Sequence, residues 1–215
     1  MRVKICGITN LADALASARF GADALGFILA PESPRCISPE TASSIIKELP
    51  PFVTTVGVIT SGDEKEIHSL IHGVGLHLIQ FHGDFPEKTL RRFSHRAIQV
   101  VRVKDEGSLA TLSDLPVRAH LLDTYHEKQA GGSGISFNWQ IAKKAALRGN
   151  VILAGGLRPD NVQDAIRQVK PYGVDVSSGV EAEKGKKDLV KLQQFISLAK
   201  EAAAKMMEDS FAASK

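Results

Sequence analysis

Eight short β-rich runs recur along the 215-residue chain at a steady pace, and that pace restricts the fold more than any other feature. They are Val3 to Cys6, Ala24 to Leu29, Thr55 to Ile59, Leu76 to Gln80, Ile98 to Val103, Ala119 to Asp123, Val151 to Ala154 and Gly173 to Ser177. Successive starts lie 21, 31, 21, 22, 21, 32 and 22 positions apart. Most runs are almost continuously apolar, as strands of a parallel sheet buried on both faces are; half-exposed antiparallel strands alternate instead. Helical patterns fill the intervals. After the first run, Asn10 and Asp13 make a capping-box-like start, Leu11, Ala14, Leu15 and Ala18 a stripe, and Gly21 a stop. Ser38-Pro39-Glu40, Asp84-Phe85-Pro86-Glu87 and Arg158-Pro159-Asp160 each offer proline to a first helical turn, where its missing N–H costs nothing.

Eight β-α units of this size predict an α/β protein, a closed (β/α)8 TIM barrel in a single domain over residues 1–207. The last helical pattern runs from Asp188 to about Met207, and a polar C-terminal tail, 208–215, is expected to fray. Both halves share one spacing pattern offset by about 95 residues, the mark a duplicated half-barrel would leave. The two long intervals place extra residues at Ala30 to Ile37 and Thr124 to Phe137. Both segments follow strand carboxyl ends, where barrels keep their working loops.

With 43% hydrophobic and 24% charged residues, the chain has material for one sizeable core. A net charge of +3, with no long basic run flanked by aromatics, argues against nucleic acid or membrane as partner and leaves room for a small anion. The amino end enters a strand pattern directly, and no run approaches about 20 apolar residues, so a cytoplasmic location is expected. Cys6 and Cys36 are the only cysteines, which suits a reducing compartment better than a disulfide framework. The histidine spacings make no convincing metal site, and none is expected.

The chemistry-bearing residues gather at strand carboxyl ends. Cys6 closes the first run and Asp123 the sixth; a thiol and a carboxyl so placed become an acid/base pair if one barrel holds both strands. An inert buried cysteine and a loop-capping aspartate are the plainer alternatives. Gly155-Gly156 and Ser177-Ser178-Gly179 follow strands seven and eight, where close backbone approach, N–H donors and hydroxyls can surround a phosphate.

Six strings, KICGIT at 4–9, GFILAPESPR at 26–35, QFHG at 80–83, GGSGISFNW at 131–139, LAGGLRPDNV at 153–162 and GVDVSSGVE at 173–181, span the chain in order. Together they resemble the phosphoribosylanthranilate isomerase family. That resemblance implies an Amadori rearrangement of N-(5-phosphoribosyl)anthranilate in tryptophan synthesis, on a small phosphosugar-anthranilate substrate, without a cofactor, in a monomer or a homodimer. It also implies Cys6 as general base, with a thiol pKa lowered by nearby positive charge or N–H donors, and Asp123 as general acid, its pKa raised by burial. Arg35 would meet the anthranilate carboxylate; Gln80 and His82 would shape the wall; Asp175 would orient sugar hydroxyls or a loop; Gly155, Gly156, Ser177, Ser178 and Gly179 would hold the phosphate. Lys184, Lys186 and Lys187 are left outside the site as solvated surface charges. Ser133 and Asn138 stand where the family usually shows threonine and aspartate, and Asp84 near a frequent glutamate; Cys36 has no assigned role.

Two rival readings remain open at this stage. A related isomerase of histidine synthesis performs the same rearrangement on a two-phosphate substrate, but carries aspartate where Cys6 stands and needs a second phosphate grip where this chain has Phe81-His82-Gly83. A catalytically silent phosphosugar-binding barrel would have lost Cys6 or Asp123.

Overall fold

A computed structural model describes residues 1–112, 116–124, 139–147 and 149–213. The strands β1 (Arg2–Cys6), β2 (Ala24–Ile28), β3 (Thr54–Ile59), β4 (Leu78–Phe81), β5 (Ala97–Val103), β6 (Ala119–Thr124), β7 (Val151–Leu153) and β8 (Gly173–Val176) pair in chain order. β8 returns to β1, with Lys4 opposite Asp175, and closes a parallel barrel. Every β-rich run expected from the sequence is a strand, with ends shifted by two residues at most.

Around the barrel lie α1 (Leu11–Arg19), α2 (Pro39–Lys47), α3 (Glu64–Val74), α4 (Glu87–Arg92), α5 (Trp139–Ala146), α6 (Val162–Val169) and α7 (Leu189–Ala213). Between β5 and β6 the described residues form only a 3-10 segment, Glu106–Thr111, started by the Asp105 side chain. At α1, Asn10 accepts from the Asp13 N–H, and Gly21, at φ +98°, takes the chain out of the helix. Pro39 opens α2 behind the Ser38 cap, as expected.

Other helix ends need correction. Pro86 precedes α4 as its cap residue, its carbonyl accepting from Thr89 and Leu90 N–H. Pro159 sits in a turn ahead of α6, where the Asn161 side chain accepts from the Arg158 N–H and delays the helix to Val162. The last helix passes Met207 and runs to Ala213, into the segment expected to fray, because 189–213 contain neither glycine nor proline to stop it. No helix among the described residues is long and apolar enough to cross a membrane.

Strand alternation divides the core in two. Val3, Ile5, Phe27, Ile79, Leu122 and Leu153 point outward and join Ala14, Ile45, Ile67, Ile166 and Phe195 of the helices in a continuous apolar layer. Inside the barrel a smaller cluster, Val56, Ile98, Ala119, Leu121, Ile152 and Ala154, fills the lumen. Lys4 and Cys6 share β1's inward parity, so a charge and a thiol rise from this plug toward the carboxyl end of the strands.

At the opposite end Asp23 ties the seam together. Its carboxylate accepts from the Val3 N–H at 2.8 Å, from Arg2 at 2.8 Å and from Lys200 of α7, while its own carbonyl accepts from Thr54 N–H. Burial alone would raise the carboxyl pKa, but the bonds from Lys200 and Arg2 hold it below the ordinary carboxylate range. Such a group contributes stability above its unfolded pKa and loses it as pH falls through the lower folded value. Asp23→Asn is expected to cost about 1–3 kcal/mol at neutral pH in urea unfolding. The gap between variant and parent should close as the pH is lowered toward about 3.

Candidate active site

At the carboxyl-end mouth lies a cavity of about 350 Å3, and all eleven residues singled out from the sequence line it: Cys6, Arg35, Gln80, His82, Asp123, Gly155, Gly156, Asp175, Ser177, Ser178 and Gly179. They come from five strand ends and the loop after β2.

Cys6 sits at the end of β1 opposite Gly26 of β2. A Cβ at Gly26 would lie 2.8 Å from the Cys6 Sγ and 3.1 Å from the Lys4 Nζ, so the missing side chain is the space those two groups share. Lys4, buried inside the barrel, donates to Asp175 Oδ1 at 2.9 Å. Burial pulls the Lys4 ammonium down, but Asp175 and the Cys6 thiol hold it above its usual value. The expectation for the thiol is reversed: burial pushes Cys6 up, with Asp175 adding to the rise, and this outweighs the downward pull of Lys4 and Lys187. Positive charge is present as expected; the dry wall overcomes it.

Asp123 faces His82, with Nε2 to Oδ2 at 4.0 Å, and its side chain is 31% exposed, so it is half-buried at the rim rather than buried beneath the apolar run. His82 is held below its ordinary pKa by burial, against the pull of Asp123, which keeps its imidazole neutral near pH 7. Gln80 is buried beside it, and its Oε1 has no hydrogen-bond partner among the described residues. The Ser177 Oγ is unpartnered in the same way. An unmet buried acceptor or hydroxyl costs free energy, so two of them in one cavity mark places where a polar ligand gains by binding.

Arg35 lies in the turn Ala30–Ile37, which is pinned to β2 by the Ile37 N–H to Ile28 carbonyl bond. Its Nε and Nη2 donate to the two Glu181 oxygens at 2.7 Å each, a bidentate pair. That engages two of five donors and fixes the guanidinium plane, leaving the remaining N–H groups for a second anion. Lys187, expected to be a solvated surface charge, is buried instead. Its Nζ donates to the Cys6 carbonyl at 2.7 Å, to the Ser177 carbonyl at 3.3 Å and to Glu181 at 3.1 Å. The short hairpin of β9 (Glu181–Glu183) and β10 (Lys186–Lys187) turns the lysine inward, so position near a helix start was a poor guide to exposure.

Gly155 and Gly156 adopt positive φ, +79° and +68°, which turns the backbone after β7 toward the cavity. After β8, Ser178–Val180 form one 3-10 turn. A Cβ at Gly179 would fall 1.9 Å from the Leu157 carbonyl, so the two loops touch backbone to backbone. This closeness lets N–H groups and hydroxyls from both loops converge on one anion.

Four residues of this arrangement were passed over in the sequence: Lys4, Gly26, Glu181 and Lys187. Lys4 had a visible signal, a charge two positions before Cys6 in an otherwise buried strand, hence on the same face. Gly26 inside a strand likewise signals close approach. The loop 125–138, with Ser133 and Asn138 and most of the string at 131–139, lies outside the described residues. Among the described residues, no three histidine, cysteine or acidic side chains group to hold a metal.

Comparison with known proteins supplies the family. The model of a family described as N-(5'phosphoribosyl)anthranilate (PRA) isomerase matches residues 3–198. The N-(5'-phosphoribosyl)anthranilate isomerase of Pelobacter propionicus is 48% identical over 201 residues, covering 94% of this chain and 96% of that protein. The crystal structure of phosphoribosyl anthranilate isomerase from Thermotoga maritima superposes with a TM-score of 0.87 at 44% identity, over 93% of this chain and 98% of that one. A crystal structure of a phosphoribosyl anthranilate isomerase in complex with reduced 1-(o-carboxyphenylamino)-1-deoxyribulose 5-phosphate has a TM-score of 0.84 and 42% identity, with the same coverage. With its barrel, mouth cavity and sequence all in agreement along nearly the whole chain, the protein belongs to the N-(5'-phosphoribosyl)anthranilate isomerase family.

Proposed function

We propose that this chain converts N-(5-phosphoribosyl)anthranilate into 1-(2-carboxyphenylamino)-1-deoxyribulose 5-phosphate for tryptophan biosynthesis, in the cytoplasm, with Cys6 as general base and Asp123 as general acid. The observation that carries this reading is one cavity holding a thiol, a carboxyl, a bidentate cation and two touching glycine-rich loops. The ligand named for the related crystal structure has a phosphate at one end and a benzoate at the other, chemistry that suits the loops and Arg35 respectively.

The steps follow from the groups. Asp123 gives its proton to the furanose ring oxygen; the C1–O bond breaks and the anilino nitrogen donates its lone pair, leaving a C1=N iminium. That cation acidifies the C2 proton, which passes to the Cys6 sulfur while the C2–H electrons form a C1=C2 bond and quench the iminium. The resulting enol tautomerises to the ketone as C1 gains a proton. Asp123 therefore has to arrive protonated and Cys6 as thiolate, the reverse of what a half-exposed carboxyl and a buried thiol favour, so the competent form is a minor population that substrate binding selects. Neutral His82 and the open Gln80 oxygen line the wall between them and serve as hydrogen-bond partners for the sugar.

Because Cys6 must lose a proton while Asp123 keeps one, kcat/KM should follow a bell-shaped pH profile, and burial of the thiol places the Cys6 limb on the alkaline side. Loss of anthranilate fluorescence follows turnover. Cys6→Ser and Asp123→Asn should each slow that decay by about 10^2–10^4-fold with unfolding midpoints near the parent's. Turnover at the parental rate in either folded variant would remove the corresponding role. Gly179→Ala, which drives a methyl into the Leu157 carbonyl, should part the two loops. KM should rise about tenfold or more, reflecting the loss of about 1.4 kcal/mol of phosphate binding. An unchanged KM would place the phosphate elsewhere.

A further inference from the structure

We propose that Lys4 is a positioning residue for Cys6: its ammonium, steered by Asp175, lies against the sulfur and stabilises the thiolate, setting how much base is ready at neutral pH. The proposal rests on the reading of Cys6 as the base.

The geometry is specific. Lys4 and Cys6 are two residues apart on β1 and point to the same side. The vacant Cβ position of Gly26 has Sγ and Nζ as its two nearest neighbours, at 2.8 and 3.1 Å, so both groups border the space over that glycine. Asp175, Lys4's register partner on β8, takes one ammonium hydrogen at 2.9 Å and so fixes its direction. The two groups also act on each other electrostatically, Cys6 raising the Lys4 ammonium and Lys4 lowering the Cys6 thiol.

Four charged groups face the thiol, and of the two cations that lower it Lys4 acts more strongly than Lys187. Arg35, from the loop after β2, is spread across Glu181. Lys187, from the hairpin after β8, spends its donors on two carbonyls and Glu181. Asp175 opposes the thiolate. β2 contributes no charge at Gly26, and His82 from β4 is neutral. A buried ammonium is otherwise a poor filler: desolvation costs it several kcal/mol, and apolar side chains of like volume serve a barrel lumen as well or better.

The test uses the full chain carrying Cys36→Ser, which removes the exposed second thiol. Thiolate absorbance in the ultraviolet, followed against pH without substrate and taken as the difference from Cys6→Ser in the same background to subtract the two tyrosines, then reports Cys6. Lys4→Met should raise the midpoint by about one unit or more, a tenfold loss of thiolate at neutral pH. The limb of the kcat/KM profile that reports Cys6 should move in the same direction. Lys4→Arg should keep most of the effect, and Asp175→Asn should shift the midpoint the opposite way. If Lys4→Met does not fold, Lys4→Met/Asp175→Asn, which leaves no unmatched buried charge, carries the same measurement and should still titrate above the parent. An unmoved midpoint in the folded variant, or a lowered kcat/KM profile with neither limb displaced, overturns the proposal. Should Cys6→Ser retain turnover, the base assignment fails instead, and the titration still reports on Lys4 independently.

Discussion

The ion pair between Lys4 and Asp175 is the constraint on which the rest of the molecule turns. It joins the first strand to the last where the barrel closes, it lies in the lumen rather than on the surface, and its Asp175 lines the cavity. Two unit charges in a dry interior recover by mutual attraction only part of what dehydration costs them. The outer layer of Val3, Ile5 and Phe27 against the helices supplies ample apolar burial. The pair is thus poorly explained as a staple and better explained by what it does to the group above it, whose sulfur shares the space over Gly26.

A second ionic cluster repeats the logic one layer higher. Glu181 receives Arg35 through both oxygens and Lys187 through one, and Lys187 reaches the carbonyls of Cys6 and Ser177. Burial works against the Glu181 carboxylate, yet Arg35 and Lys187 hold it below the ordinary range, so it stays charged wherever the protein is folded near neutral pH. One acid thereby fixes the direction of the arginine, the end of β1 and the end of β8. Preorganisation of this kind spares a ligand the ordering of three flexible side chains.

How much of this could be read beforehand follows from what a sequence records. Continuous apolar runs at regular spacing reveal buried parallel strands, and the eight runs became eight strands with Cys6 and Asp123 at their carboxyl ends. Gly155-Gly156 and Ser177-Ser178-Gly179 at two adjacent strand ends pointed to the loops that touch at Gly179 and Leu157. Burial of charge was not legible. Lys187 looked solvated because two neighbours, Lys184 and Lys186, are exposed and only the hairpin's turn distinguishes them. The sign of the Cys6 shift was missed for the same reason: nearby cations are visible in a string, whereas the desolvation that overrides them belongs to the packed cavity. The rim position of Asp123 likewise depends on where β6 ends relative to its neighbours, which hydrophobicity alone does not set.

Charge around the thiol makes a final point about why sulfur and not oxygen occupies the floor. Lys4, Lys187 and Arg35 face Asp175 and Glu181, a surplus of one positive charge beside Cys6. A carboxylate there would be ionised throughout the neutral range and would settle into a permanent ion pair with Lys4, weakening it as a base. A thiol raised by burial stays largely neutral in the empty site, so the surplus cation is left to draw in an anionic ligand. On the proposed reading, the ammonium's task is to stabilise the sulfur's charge in the thiolate form that acts as base. A group with a pKa near or above neutrality also takes a carbon-bound proton with more driving force than a carboxylate of ordinary strength.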